Sequence, residues 1–410
     1  MKFDVLKVGV GQHSDPEQAV KQALEQSGEP DLTIVFTSSQ LDPHEVYEKI
    51  KAHVGNSAII GGTTAGEYSS AVEKPQTGTV AVMTLKSRYL KVGVGVGENI
   101  KENPFEAGRK AVREAYSNLQ DDPTAAALIS VAFMRKKSMD ILKMKPFVNI
   151  VIPDGMSGQE EKFLRGMVTE IGATTPIVGG STGDDLKFDK TYQFANGVYT
   201  NAGVVATLGT SLKVGLGYGH PYYPTKRGAE VTRAEGRTVY ELNGRPAVEV
   251  LKELLEEEEL TPEVFAKKPL GVRSTDIFGE YMIKSAMKAN EDGSVTFYAE
   301  VHEGSFLTAM ETNPEYAISA FENALKSAIA NAGNPKKIGA VIIFNCVLRH
   351  LLKERLCIND LDIIKDTIGE VPMIGFNTYG EQGATKGGAI GHYNQTSTIL
   401  VIADELISQG

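Results

Sequence analysis

Tryptophan is absent from this 410-residue chain, and cysteine occurs only at Cys346 and Cys357. Two such cysteines give no disulfide framework and no CxxC metal or haem-attachment motif, and they fit a reducing cytoplasm, the expected location. No apolar stretch approaches the length of a membrane span, so no membrane insertion is expected. The amino terminus, MKFDVLKVGVG, lacks the apolar segment of a signal peptide and reads as a strand. An excess of basic charge is missing as well. The formal net charge of −10 argues against nucleic acid or an anionic membrane surface as a general partner. The histidines, His13, His44, His53, His220, His302, His350 and His392, are scattered, and none has a partner at metal-ligand spacing. No metal site is expected. With 41% hydrophobic and 23% charged residues the chain can bury a sizeable core, and its length suits two or three domains.

What the chain does contain is a phrase that occurs three times. Ile59-Ile60-Gly61-Gly62-Thr63-Thr64-Ala65-Gly66-Glu67, Ile177-Val178-Gly179-Gly180-Ser181-Thr182-Gly183-Asp184 and Met373-Ile374-Gly375-Phe376-Asn377-Thr378-Tyr379-Gly380-Glu381 share one pattern. Two apolar residues lead into Gly, a short stretch with a hydroxyl, Gly and a carboxylate. A second β-like run follows each copy, at 79–85, 203–208 and 396–402. An internal repeat of this kind outranks other readings of a fold. It predicts similar β-α-β-loop-β-β units, each presenting a Gly-hinged polar loop at a strand end. The fold class is therefore α/β (mixed α+β) with mixed sheets.

Along the chain, strands are expected at 32–38, 57–60, 89–96, 125–133, 148–153, 201–208, 212–219 and 338–344. Helices are expected at 43–54, 104–119, 158–171, 246–259, 314–332 and 361–368. Within the strands, VGVGVG at 92–97 is echoed by VGLGYG at 214–219. The charged stretch 220–237 reads as turn-rich and as a boundary between domains at 1–220, with two of the repeats, and 221–410.

In AIIGGTTAGEYS, TGTVAVMTL, PIVGGSTGDD, GVYTNAGVVATL, ELNGRPAVEVLKELL, FNCVLRH, VPMIGFNTYGEQG and GHYNQTST, the chain resembles the FIST family. The resemblance covers nearly everything from about residue 30 onward and implies an N-terminal and a C-terminal FIST domain. It also implies a cytoplasmic ligand-sensing module of signal transduction, for an amino acid or similar small polar molecule. No cofactor is expected and the histidines read as surface or hydrogen-bonding residues; some members resemble haem-based nitric oxide sensors, which leaves haem as the alternative, with His220 or His392 as its first-choice ligand. No kinase, cyclase or chemotaxis output module is seen in these residues, so the expected output is through a separate signalling protein.

The candidate ligand-binding residues follow from the loops and from one strand end. Thr63, Thr64, Ser181 and Thr182 offer hydroxyls, and Asn377 and Tyr379 are the candidates from the third copy. Local bonding to the turn backbone is the competing role for the hydroxyls. Glu67, Asp184 and Glu381 offer carboxylates for a ligand ammonium. For Asp184 and its neighbour Asp185, capping a following turn is the favoured role. Arg349 lies just past an apolar strand beside Asn345 and Cys346, where open α/β sheets bind ligands. Its guanidinium would grip a carboxylate, with Glu381 as the complementary anion; an ion pair within the protein, with Glu381 or Glu354, is the alternative. Cys346 reads as a small buried side chain rather than a nucleophile. Gly179–Gly183 matches G-x-S-x-G, but no helical pattern follows, so a hydrolase elbow at Ser181 is not expected. No catalytic residue is assigned, and an enzyme is the weakest of the three readings.

Overall fold

The computed structural model describes residues 4–119, 147–173, 175–274, 279–384, 388 and 390–407. The strand expected at 125–133 lies outside them. Three units of one topology follow one another.

The first unit runs β1 (Lys7–His13), α1 (Pro16–Ser27), β2 (Leu32–Ser38), α2 (Pro43–Val54), β3 (Ala58–Thr64), β4 (Glu67–Ser69) and β5 (Val80–Lys86). The second runs β6 (Leu90–Glu98), α3 (Pro104–Ser117), β7 (Phe147–Pro153), α4 (Glu160–Ile171), β8 (Ile177–Gly180), β9 (Gln193–Ala195), β10 (Val198–Tyr199) and β11 (Ala202–Thr210). The third opens with β12 (Leu212–Gly219) and then carries an insertion. The insertion comprises β13 (Tyr223–Glu235), β14 (Thr238–Leu242), β15 (Arg245–Pro246), α5 (Ala247–Leu255), α6 (Pro262–Lys267), β16 (Leu270–Arg273), β17 (Tyr281–Lys284), β18 (Ala286–Ala289), β19 (Val295–Phe297) and β20 (Phe306–Glu311). The third unit resumes with α7 (Pro314–Asn331), β21 (Ile338–Cys346), α8 (Val347–Leu356), α9 (Asp360–Ile368), β22 (Met373–Thr378), β23 (Glu381–Ala384), β24 (Ile390–Tyr393) and β25 (Ser397–Leu406).

Each unit builds a mixed sheet of the same order: β1-β5-β2-β3, β6-β11-β7-β8 and β12-β25-β21-β22. Each sheet is then extended by a strand from another unit. β9 pairs with β3, β23 with β8 and β4 with β22, so the exchange closes a ring. The inner faces of the three sheets meet in one apolar core that includes Ile34, Phe36, Ile150, Val178, Phe344 and Phe376. Their outer faces are covered separately, by α1 and α2, by α3 and α4, and by α7 and α9. The result is a three-sided prism, sheets inward and helices outward.

The glycines of the edge strands explain how the outer helices seat. Gly11, Gly95 and Gly217 hold one equivalent position. A Cβ there would lie 2.1 Å from Ala19 O, 2.0 Å from Ala111 O and 2.2 Å from Ala324 O respectively. Each helix thus lays an alanine row directly on strand backbone, an approach that no side chain permits. The VGVGVG–VGLGYG echo therefore has a third, shorter copy in Val8-Gly9-Val10-Gly11 of β1.

The stretch expected to be turn-rich at 220–237 is largely β13, paired with both β14 and β20. Its charged residues lie on a partly exposed strand, where alternation of polar side chains mimics a loop. The insertion has its own core, including Val231, Leu251, Phe265 and Leu307. β12 belongs to the third sheet through β25, so residue 220 separates one edge strand from its unit.

Candidate functional site

The strand registers fix which residues of the repeats correspond. Thr63, Ser181 and Asn377 are equivalent, and so are Thr64, Thr182 and Thr378. The three loops are woven together by a closed set of backbone bonds. Thr63 N donates to Tyr192 O at 2.9 Å, Ser181 N to Gly380 O at 2.8 Å and Asn377 N to Gly66 O at 2.7 Å. In return Gly183 N donates to Thr63 O at 3.0 Å, Tyr379 N to Ser181 O at 3.1 Å and Ala65 N to Asn377 O at 3.0 Å. Thr63, Thr64, Ser181, Thr182 and Thr378 are completely buried, and Asn377 is 1% exposed.

The residue that opens the exchanged strand also corresponds, and here the sequence phrase misleads. Glu67 lies opposite Phe376, Glu381 opposite Gly180, and Gln193 opposite Gly62. The second counterpart of the glutamates is therefore Gln193, not Asp184, because eight further residues separate Thr182 from its strand. Thr64 Oγ1 meets Glu67 Oε2 at 2.7 Å, Gln193 Nε2 donates to Thr182 Oγ1 at 2.8 Å, and Thr378 Oγ1 bonds Glu381. Thr79 N and Oγ1 donate to Glu67 Oε1 at 2.9 and 2.5 Å, and Thr396 N to Glu381 Oε2 at 3.1 Å. Burial pushes both carboxyls up to about 8, against the lowering effect of these bonds. The shift favours the protonated form, which matches the neutral amide of Gln193.

Asp184 caps the loop that follows it, accepting from Phe188 N at 3.0 Å, Asp189 N at 2.6 Å and Lys190 N at 3.1 Å. The Tyr379 hydroxyl donates to it at 2.5 Å. Asp185 accepts from Ser38 Oγ at 2.8 Å and from Ser39 N at 2.9 Å.

The other candidates converge at the end of β21. The strand passes directly into α8, which places Arg349 and Lys353 one turn apart on one face. α9 begins at Asp360, after the N-cap Asn359. Arg349 Nη1 donates to Asp360 Oδ2 at 2.6 Å and to Asn345 Oδ1 at 2.8 Å. Lys353 bonds the same Oδ2, Asn345 Nδ2 donates to it at 3.0 Å, and the guanidinium lies 4.7 Å from the centre of the Phe321 ring. Arg349 is thus paired with Asp360; the expected pairing with Glu381 gives way, since that carboxyl is engaged by Thr378 and Thr396 at the prism centre. Burial would raise Asp360, but the Arg349 and Lys353 charges hold it at about 2. Burial draws Lys353 down to about 8 despite Asp360. Two cations therefore share one carboxylate, all at most 5% exposed. Cys346 is buried beside them, with its thiol pushed up by burial.

This cluster forms one wall of a cavity of about 950 Å³ between the turn after β4 and α8–α9. Lys353, Asp360, His350, Asn359 and Ser70 line it, and Tyr68 reaches it from the exchanged strand. The Tyr68 ring crosses Gly375, where a Cβ would lie 2.6 Å from the ring. Its hydroxyl is buried and has no hydrogen-bond partner among the described residues. Asn345 lies near, but its side chain is engaged by Asp360, Arg349 and Ser397. Of the twelve residues that the sequence nominates, none lines this cavity. Asn345 and Arg349 stand behind its wall with Cys346 next to them, Asp184 and Tyr379 hold the loop after Gly183, and the other seven hold the prism centre. Sequence reasoning misses Lys353 and Asp360; their signal is the one-turn spacing from Arg349 and the first position of the next helix. His220 accepts from Tyr222 N at 3.3 Å, and His392 Nδ1 meets Gln382 Nε2 at 3.0 Å. Burial lowers both imidazoles, to about 4 and about 3. Among the described residues no cluster of His, Cys, Asp and Glu has the arrangement of a metal site, and no helix is long and apolar enough to cross a membrane.

Residues 31–245 match the FIST N domain and residues 247–384 the FIST C domain. An uncharacterized protein of Methanocaldococcus jannaschii is 28% identical over 349 residues, which is 79% of this chain and 61% of that protein. The chain thus spans less than two thirds of that curated relative's length. Among solved structures, a cyanuric acid hydrolase from A. caulinodans aligns over 97% of this chain and 99% of its own, with a TM-score of 0.37 and 9% identity. A likeness at that level carries no argument about activity.

Proposed function

The chain belongs to the FIST family, which is associated with sensory signal transduction, and from that premise we propose that it senses a small polar molecule bearing an anionic group, such as an amino acid. The ligand would occupy the cavity between the turn after β4 and α8–α9. The observation that carries this reading is the wall of that cavity. Two buried cations, Arg349 and Lys353, share the single carboxylate of Asp360 at that wall, and the buried, unpartnered Tyr68 hydroxyl lies behind it. A buried charge excess is costly unless an anion answers it. Glu73 at the cavity wall would meet a ligand ammonium, next to Glu354, which faces His350 at 3.4 Å. The turn after β4 comes from the first unit and α8–α9 from the third, so a ligand between them would bias their contact, the change a signalling partner would read.

The test is a thermal-shift screen with amino acids and organic acids, repeated on Lys353→Met. A ligand that saturates its site at about a hundred times its dissociation constant stabilises the folded state by roughly 2.7 kcal/mol. An anionic ligand should raise the melting temperature of the wild type and lose that effect in Lys353→Met. An equal shift in both proteins would place binding elsewhere. A Soret band in the purified protein would put the haem reading ahead of this one.

A further inference from the structure

A second cavity, of about 630 Å³, lies where the insertion rests on the second unit. Its walls are mainly apolar. Phe105 from α3, Leu164 and Val168 from α4, Val272 and Met282 from the insertion and Ile390 from β24 face into it. The rim holds charges that clamp the insertion to α4. Arg237 Nη2 donates to Glu160 and Glu161 at 2.6 Å each, Arg165 binds Glu300 at 2.7 and 3.1 Å, and Glu300 N donates to Glu161 Oε1 at 2.7 Å. Each of these carboxylates is thereby committed to an arginine. One cation is left over. Lys284, the last residue of edge strand β17, lines the cavity, and its side-chain amine makes no hydrogen bond or ion pair among the described residues. The imidazole beside it, His392, is neutral and engaged by Gln382. Burial draws the Lys284 amine below its ordinary range, although Glu161 and Glu300, each bonded to an arginine, act on it from a distance in the opposite sense.

We propose that this cavity is a second ligand site, for a small carboxylate with an apolar body whose carboxylate is held by Lys284. Mainly apolar walls with a few polar groups, here Lys284 beside the paired Arg165 and Glu300, are the usual makeup of a small-molecule site, and the volume is within the usual range. The occupant would touch the insertion through Val272, Met282 and Lys284, and the prism through Phe105, Leu164 and Val168. Its binding would therefore tighten the one upon the other. Lys353, Asp360 and Tyr68 take no part, so this site stands or falls independently of the first.

The experiment uses 4-phenylbutyrate and octanoate as probes, with 4-phenylbutyramide as the uncharged control, in isothermal titration against the full chain. Binding of the acids, at least tenfold weaker binding of the amide, and at least tenfold weaker binding of both acids to Lys284→Met would support the site. Equal affinity for acid and amide, or no binding of either acid to the wild type, would overturn it. If Lys284→Met does not fold, the acid–amide contrast on the wild type still decides.

Discussion

The prism centre and the α8–α9 cluster are both polar and both buried, yet they are opposite in kind. At the centre, Thr64–Glu67, Thr182–Gln193 and Thr378–Glu381 repeat one arrangement three times, and one of the three uses an amide where the others use an acid. A neutral amide matches a carboxyl best where the carboxyl is protonated, and burial shifts Glu67 and Glu381 towards that form. The α8–α9 cluster has no such repetition. Arg349, Lys353 and Asp360 carry full charges there, and the charges do not balance. Residues that recur in every unit close the ring of sheets; residues found in one unit only furnish the cavities. Internal repetition thus points to the architecture, and departure from it points to chemistry.

The sharpest way to break this contrast is to unpair the charged cluster. Asp360→Ala leaves Arg349 and Lys353 buried without their carboxylate, and removing one partner of a buried pair costs about 3–5 kcal/mol. Arg349→Ala should approach the same loss, although its place after an apolar strand suggests a role in ligand binding rather than in folding. Urea unfolding at pH 7 without ligand is the measurement. A loss below about 1 kcal/mol in both variants would mean that water reaches the cluster, and that it does not differ from an ordinary open surface site.

A smaller effect separates the two regions by pH. The carboxyls of Glu67 and Glu381 are raised in the folded protein to about 8, above the unfolded value of about 4.3. Between those values the folded state holds protons that the unfolded state has lost. Stability is therefore intact below about pH 4 and falls as pH rises towards 8, by at most about 1.4 kcal/mol per pH unit for each group. Glu67→Gln with Glu381→Gln should flatten this fall, and the double variant should be more stable than the wild type at pH 8 but not at pH 5. Asp360, held at about 2, has the opposite sign: its contribution is present above about pH 4 and is lost as pH falls towards 2. Unfolding free energies measured from pH 5 to 8 that run parallel in wild type and double variant would show that the central acids are ionised after all.

The parts of this protein that its sequence makes legible are those that recur. The three Gly-rich phrases do end equivalent strands, and the strand–helix order of each unit follows from apolar periodicity. The exchange of β4, β9 and β23 between units is not legible, because strands of three or four residues leave no periodic trace. For the same reason Gln193 is hidden: the loop from Gly183 to Tyr192 moves it away from the phrase, and Asp184 stands where the acid is expected. The third GxG strand, at Gly9 and Gly11, escapes notice because it carries one copy fewer of the Val-Gly step. Tyr68 gives no signal at all. Its meaning depends on Gly375, more than three hundred positions away, and on a sheet joined across units.

The smallest expected effect is also the cleanest comparison, since it removes a single hydroxyl from each region. In Thr64→Val, Glu67 loses the oxygen that meets its Oε2 at 2.7 Å in a fully buried site. An unsatisfied buried polar group costs about 1–3 kcal/mol. In Tyr68→Phe the hydroxyl removed has no partner among the described residues, so its loss relieves a buried polar group rather than stranding one. The ring itself still fills the space over Gly375. The stability of Tyr68→Phe without ligand should stay within about 0.5 kcal/mol of the wild type. Its affinity for an anionic ligand found in the thermal-shift screen should fall about three- to tenfold, the worth of one hydrogen bond of roughly 1 kcal/mol. Urea unfolding and titration of the same preparations give both numbers. A Tyr68→Phe protein as destabilised as Thr64→Val, with ligand affinity unchanged, would return Tyr68 to the architecture and leave the α8–α9 cavity without the group that distinguishes it from the centre.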